Sequence, residues 1–527
     1  KMTTRGWEIL LQWKDGSNTW ESMKDVHSEY PVQLADYAQQ RGITDQPAFA
    51  WWISHVNRKR KRIISKTKSK YWTRTHKFGI RLPHTVQEAL SIDKENGDTF
   101  WWDALCKEMK NVRVAFEEYD GHIDDLVGYK KLDCHMIFDI KMGENFRRKA
   151  RLVADGHKTA TPATITYSSV VSRDSVRIAL TIAALNDLKI LACDILNAYL
   201  TAPCREKFWC KAGPEFGSDC NKTMIVVRAL YGLKSSGAAF RSFLAEHLHD
   251  IGYKPSLADP DVWMRAAIKP NGFKYWEYVL CYVDDLLAIS HDPNRTMKSI
   301  QTKFKLKDDK TEEPEVYLGA DMSQMDNVHG DLCWAISSDK YCNALVKNVE
   351  SILEKKRLRL PSKCVMPLSN GYKPEMDCTA ELKAEGVQQY QEIVGQLRWA
   401  VELGRVDILL ETSLMSSYLA MPREGHLEQL LHIVGYLKSH KKMRILFDAS
   451  HPKIKESWFQ EYDWFDFYRD AKEPIPPNAP EARGHDVVTT CFVDANHAGN
   501  QKDRRSQTGI LIFINKAPIW WHSKRQS

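Results

Sequence analysis

The stretch "EYVLCYVDDLLAIS", Glu277 to Ser290, sets two adjacent aspartates in the middle of an apolar run. Val279 to Val283 is almost wholly apolar or aromatic, and Leu286 to Ile289 is apolar again. A segment serving only as a buried strand would not carry Asp284 and Asp285 at its centre, because burying an unpaired carboxylate is costly. The pattern predicts strand, tight turn, strand, with both aspartates at the hairpin tip, where they escape the core around them.

Like charges about 4 Å apart cost roughly 4 kcal/mol per pair at an effective dielectric near 20. A third acid, Asp194, ends another apolar strand in "LACDILNAYL". Three clustered aspartates need a cation, and hard divalent cations prefer oxygen ligands. Two Mg²⁺ ions held this way can activate an attacking hydroxyl and stabilise a leaving pyrophosphate. Spacing alone leaves a plainer reading open, in which 284–285 is a solvated turn and Asp194 a strand-end residue.

The 527-residue chain is too long for one core and should divide into about three to four domains. An apolar fraction of 43% with 27% charged residues implies that most of it folds. No run of about 18 uninterrupted apolar residues predicts a membrane span, and "KMTTRGWEIL" lacks the apolar core of a secretory signal. Twelve cysteines with no CxxC pair or Cys/His ligand spacing point to reduced thiols in an intracellular protein.

Residues 1–56 read as a small β-rich module. In "WEILLQWKDGSNTW", Ile9, Leu11 and Trp13 share one face and Asp15-Gly16 is a hairpin turn; "PVQLADYAQQ" predicts a short helix. Residues 57–81 read as a basic linker, since "RKRKRIISKTKSK" holds eight Lys or Arg and no acid. Such a run can also contact phosphates or act as a nuclear address.

From Leu82, "TVQEALSIDKENGDTFWWDALCKEMKNV" predicts two helices around a turn, and "HMIFDIKMGENFRRKARLVADGHK" two strands around a Gly-containing turn. "SRDSVRIALTIAALNDL" predicts a helix capped by Ser172. Irregular alternation of strands and helices favours an α+β fold over a doubly wound sheet. Further on, Leu430, Ile433, Val434 and Leu437 are spaced for a helical core face, and His426 reads as a helix-start residue, not a ligand.

"RRKARLVADGHK", "CDILNAYL", "ALYGLKSSGAAF", "CYVDDLL", "YLGADM", "YQEIVGQLRWA" and "FVDANHAGNQKDRRSQTGILIFI" occur in the order seen in copia-type LTR retrotransposon Pol polyproteins. The resemblance covers roughly residues 82–527. It implies a right-hand polymerase followed by an incomplete ribonuclease H-like α/β domain: 82–335 as reverse transcriptase fingers and palm, 336–445 as thumb and connection, 446–487 as an acidic Pro- and aromatic-rich insertion, and 488–527 as a truncated ribonuclease H-like domain. The implied activity is RNA-directed DNA polymerisation by two-metal nucleotidyl transfer. The alternative is a decayed, inactive fragment that only binds nucleic acid.

The same resemblance implies roles. Asp194, Asp284 and Asp285 match the catalytic metal-binding triad, with the Ile195 carbonyl as a further ligand of two Mg²⁺ ions (Mn²⁺ as substitute). Tyr199 matches an aromatic gate whose ring would collide with a ribose 2′-OH. Lys149 and Arg151 fall on the strand that holds the incoming triphosphate, although spacing does not decide among Arg147, Arg148, Lys149 and Arg151. Tyr231, Gly232 and Lys234 match the "YGLK" loop near nucleotide and template, Gly232 being read as allowing close approach there. The family commonly continues "YGLKQSPRAW", where this chain has "YGLKSSGAAF". Tyr317, Leu318 and Gly319 resemble the strand that grips the primer end.

Asp494 matches the first ribonuclease H metal ligand. The family places its next acid on a helix just beyond an "SKKQ"-like segment, here "SKRQ", one residue before Ser527, so the expectation is a fragment of a longer polyprotein without ribonuclease H activity. Implied partners are an RNA template, a DNA primer or hybrid, and dNTPs, in a virus-like particle in the cytoplasm or in the nucleus, with no membrane. Residues 1–56 resemble a chromodomain or integrase tail, with Trp13 and Trp20 packed against its C-terminal helix and chromatin as candidate partner. Ser17 replaces the aromatic usually found after the turn.

Overall fold

In the computed structural model, Lys274–Tyr282 and Asp285–Ser290 form the expected antiparallel hairpin, with Tyr282 opposite Asp285. Only Val283 and Asp284 lie between the strands. Val283 takes a φ of 57°, a left-handed conformation costly for a β-branched side chain. Tight two-residue hairpin loops demand positive φ at their first central position, so this turn holds local strain next to both aspartates.

The structure describes residues 6–12, 18–67, 76–141, 146–159, 166–455, 457, 463, 465–469 and 476–526. The Asp15-Gly16 turn, Trp13, Ser17 and the Gly-containing turn near 143 lie outside the described residues.

The hairpin belongs to a five-stranded sheet. Lys254–Pro255 is one edge, followed by Val262–Ile268, the two hairpin strands, and Lys189–Asp194 at the other edge. Because successive side chains on a strand point to opposite faces, the central apolar run feeds two cores at once. Leu280, Leu287 and Ile289 pack with Val176, Ala179, Leu180 and Ala183 of helix Arg173–Leu185. Val279, Cys281, Leu286 and Ala288 pack with Phe240, Leu244, Met297 and Ile300 on the other side. Ser172 caps the first helix as expected, its Oγ accepting from the N–H of Ser175 at 3.1 Å.

Ahead of this sheet, helices Val86–Asn96 and Phe100–Val112 are separated by Gly97 at φ 71°, as the turn signal predicted. They share a core with the two-stranded ladder Cys134–Lys141 and Arg147–Ala154 and with a four-stranded sheet containing Pro203–Lys211 and Thr223–Arg228.

A second four-stranded sheet runs Val316–Tyr317, Ala320–Asp326, Leu332–Ser337, Arg444–Leu446. Helices Asp339–Lys355, Ala384–Glu402 and Glu424–Ser439 pack beside it. Leu430, Ile433, Val434 and Leu437 are all buried. His426 is structural: its Nδ1 accepts from the Arg423 N–H at 3.1 Å, and its Nε2 lies 2.8 Å from the Pro374 carbonyl. The boundary expected between 335 and 336 cuts strand Leu332–Ser337. The one expected at 446 also falls in structured chain, since Leu446 is in a strand and the buried Phe447 donates its N–H to Trp334 O.

The N-terminal module is corrected most. One hairpin, Glu8–Gln12 with Asn18–Ser22, is followed by three helices, Met23–Glu29, Pro31–Gln40 and Pro47–Thr67, so the module is mainly helical. The expected linker is helical through Thr67, because the basic run continues a helix whose Phe49, Trp52, Ile53 and Val56 are buried. Trp20 is 66% exposed, and it is Trp7 that meets Phe49 edge-on, at 5.2 Å.

Thr489–Ala495, Gln507–Ile514 and Ala517–Arg525 form a three-stranded antiparallel sheet. Arg177, buried on the helix behind the central sheet, ties this sheet in. Its guanidinium donates to the Ile519 and Glu402 carbonyls at 3.1 and 2.9 Å and lies 3.8 Å from the Trp521 ring centre. The described fold is α+β.

Candidate active site

Asp194 closes its strand directly opposite Asp285, the first residue of the neighbouring strand. The Ile195 N–H donates to the Asp284 carbonyl at 2.8 Å, so the chain leaving Asp194 is stitched to the hairpin tip. Residues 91 positions apart in sequence are thereby brought to one end of the sheet. Burial, then repulsion from Asp284 and Asp194, pushes the Asp285 carboxyl up to about 6. Burial is also the first cause of the upward shift of Asp284, with Asp194 adding to it and Lys149 and Arg151 opposing it.

Lys307 was not foreseen. Its Nζ lies 2.8 Å from Asp194 Oδ2, and Asp194 raises its pKa. No spacing signal in "FKLKDD" marks it; the loop returns beside Asp194 because Leu196 N–H donates to the Lys305 carbonyl at 2.9 Å. Among the described residues no group of three or more His, Cys, Asp or Glu side chains is arranged to hold a metal ion. The three aspartates are neighbours, but one of them is engaged by a lysine ammonium. Their chemistry still fits a divalent cation: the donors are hard oxygens, and two of them are held upward by burial and mutual repulsion that a cation would relieve.

On strand Arg147–Ala154 alternate side chains share a face, so Arg147, Lys149 and Arg151 lie on one side and Arg148 on the other. The Arg148 guanidinium lies 5.2 Å from the Phe100 ring centre and donates to the Phe146 carbonyl at 2.8 Å, away from the aspartates. Lys149 and Arg151 influence Asp284 instead. Burial and then the Arg151 charge hold Lys149 below the usual lysine range. Glu108, also unforeseen, sits beside them: it accepts from the Leu152 N–H at 3.1 Å, and burial raises its pKa.

Tyr199 follows a left-handed Asn197, φ 52°, and is half-buried. Its ring meets Tyr231 edge-on at 4.9 Å, and the Arg151 guanidinium lies 5.2 Å from the Tyr231 ring centre. Burial and Asp284 raise both phenols, Tyr231 to about 12. The two tyrosines and Arg151 are therefore packed together within reach of the Asp284 charge.

The other predicted site residues have local partners of their own. Gly232 has φ +90°, and a Cβ there would come 2.1 Å from the Ala154 carbonyl oxygen. Its smallness thus serves the neighbouring strand, with Gly156 packed against it in the same way. Lys234 Nζ donates to the Thr159 carbonyl at 2.7 Å, which holds it in the fold. Leu318 and Gly319, at φ 48° and 86°, are the turn of a tight hairpin between Tyr317 and Ala320, not part of a strand. Tyr317 is buried in the core, where Asp285 is among the charges raising its hydroxyl. Asp494 lies exposed on the C-terminal sheet, its Oδ1 accepting from the Ala495 N–H at 2.8 Å.

Residues 124–358, which contain all three aspartates, match the family model described as reverse transcriptase (RNA-dependent DNA polymerase). The chain is similar to the retrovirus-related Pol polyprotein from transposon RE1 of Arabidopsis thaliana, 25% identical over 84% of this chain and 27% of the relative. It is 24% identical to the corresponding polyprotein from transposon TNT 1-94 of Nicotiana tabacum, over 85% of this chain and 30% of the relative. A putative transposon Ty5-1 protein of Saccharomyces cerevisiae is 23% identical over 63% of this chain and 92% of its own length. The chain thus spans under a third of the plant relatives' length. With the ordered motifs, these matches support a copia-type retrotransposon Pol polyprotein in which residues 124–358 are the reverse transcriptase domain.

Proposed function

We propose that the chain is an RNA-directed DNA polymerase whose active centre is Asp194, Asp284 and Asp285. The observation that carries this reading is the pairing of Asp194 with Asp285 across the sheet, next to the Ile195–Asp284 hydrogen bond, within the matched domain. The three carboxylates and the Ile195 carbonyl would hold two Mg²⁺ ions, which when bound supply Lewis-acid stabilisation of the attacking and leaving oxygens.

The protein's own residues do the positioning. Lys149 and Arg151 offer cationic donors toward a triphosphate, the planar Arg fork giving paired hydrogen bonds to phosphate oxygens. Tyr199, braced edge-on by Tyr231, presents a rigid ring where a 2′-OH would lie. The polymerase part would supply fingers, palm, thumb and connection, and the sheet Thr489–Ala495, Gln507–Ile514 and Ala517–Arg525 a ribonuclease H-like unit. The Tyr317–Gly319 hairpin would set the primer end against the palm. Template and hybrid would be held by their backbones in a basic cleft, without sequence readout.

Primer extension on poly(rA)·oligo(dT) with Mg²⁺ tests the reading. The parent should incorporate dTTP, and Asp284→Asn should lose at least about 100-fold, or roughly 2.7 kcal/mol of transition-state stabilisation. No incorporation by a folded parent that still binds the hybrid would leave a binding protein in place of a polymerase.

A further inference from the structure

Far from the aspartates, the N-terminal helices, the Glu424–Ser439 helix start and the C-terminal sheet enclose a cavity of about 80 Å³. Three of its lining cations converge on one carboxylate. Arg60 donates both terminal nitrogens to Asp36 at 2.8 Å, and Arg423 and Lys502 add contacts at 2.8 Å each. Two more, Arg505 and Arg525, reach the buried Asp503 only at 3.8 and 3.5 Å. The remaining lining acids are already engaged. Asp377 accepts from Tyr372 Oη at 2.6 Å and from Thr379, while Glu375 accepts from the Gln501 N–H at 3.1 Å. Five cations therefore face four acids, and Arg58 on the same wall is a sixth.

A second observation is independent of this charge. Asn57 lines the cavity and is 8% exposed, yet its Oδ1 has no hydrogen-bond partner among the described residues. An orphaned buried acceptor costs about 1–3 kcal/mol. A cavity with surplus cations, loosely engaged guanidinium forks and one acceptor in search of a donor matches an anion that carries its own O–H.

The geometry points to a binding site for a phosphate-class oxyanion at this junction, clasped by Arg505, Arg525 and Arg58 with its P–O–H available to Asn57. Arginine forks suit the tetrahedral oxygens, and the bound anion offsets the like-charge excess. Because the wall is built from both ends of the chain and from the middle, the ligand locks the N-terminal module onto the body. The ligand is free phosphate or a terminal phosphate of a nucleic-acid strand.

The test uses the intact 527-residue chain and inorganic phosphate. Its melting temperature should be higher in phosphate than in chloride at equal ionic strength and pH, and the protein should broaden the ³¹P resonance of low-millimolar phosphate. Both effects should vanish in Arg505→Gln/Arg525→Gln. They should also vanish in Asn57→Asp, which puts a repelling charge on the orphaned position without changing its size. Equal melting temperatures in the two salts, or a phosphate effect that survives both variants, would overturn the site. Fluorescence anisotropy of an oligonucleotide with a 5′-phosphate against its 5′-hydroxyl twin identifies the source. A preference for the phosphorylated strand that the double variant abolishes assigns a strand end, and equal binding assigns the free ion.

Discussion

Asp285 stands directly across the antiparallel ladder from Asp194. Neither has a cationic neighbour on its own strand beyond Lys189, so two ladder-paired acids rely on groups brought from elsewhere: Lys307 beside Asp194, and Lys307 with Lys141 opposing the upward shift of Asp285. Like charges placed opposite one another destabilise a sheet. Four consequences can be measured.

Asp285 carries the cost of this arrangement. In the folded protein its carboxyl titrates near 6, against an ordinary value of about 3.9 in the unfolded chain. Between those pH values the folded state holds more protons, so stability falls as pH rises through the window, and the full penalty applies above about 6. Asp285→Asn should melt higher than the parent at neutral pH in chelator, with the difference shrinking toward pH 4. An advantage over the parent no larger at neutral pH than at pH 4 would refute this.

Lys307 competes for Asp194. Removing its ammonium in Lys307→Met frees Asp194 Oδ2 and should tighten Mn²⁺ binding several-fold, measured by calorimetry without nucleic acid. Weaker or unchanged binding would mean that the lysine helps to assemble the site instead.

Tyr199 should govern sugar choice. Tyr199→Phe keeps the ring and should retain selectivity for dNTPs, whereas Tyr199→Val should relax the dNTP/rNTP ratio of kcat/KM by about 100-fold. Parallel single-nucleotide incorporation assays decide it; an unchanged ratio in the Val variant assigns the ring to packing alone.

Gly232→Ala should destabilise by about 3 kcal/mol or more. It combines a positive φ with a backbone oxygen 2.1 Å from the new methyl, and backbone cannot move as a side chain can. Urea unfolding measures it, and a shift under about 1 kcal/mol would mean that the strand carrying Ala154 yields easily.

What was legible in the sequence is local chemistry. The aspartate-bearing hairpin, the Ser172 cap, the Gly97 helix end and the 430–437 core face follow from patterns within a few residues. There, backbone geometry and side-chain periodicity answer to immediate neighbours. The N-terminal module misled because its exposed Trp20 imitates a core aromatic, and its basic run looks like a linker although it continues a helix anchored by Phe49 and Trp52.

By itself the sequence determined that Asp194, Asp284 and Asp285 end or interrupt apolar strands, and that their order among the other motifs marks the family. Only the tertiary structure decided what surrounds them. Lys307 reaches Asp194 from 113 residues away, Arg148 stacks on Phe100 while Arg151 stacks on Tyr231, and Gly232 is small for the sake of Ala154. The physical reason is range. Hydrogen bonding and periodicity act along the chain, whereas electrostatics and steric exclusion act through space and are fixed only once the sheet has brought distant segments side by side.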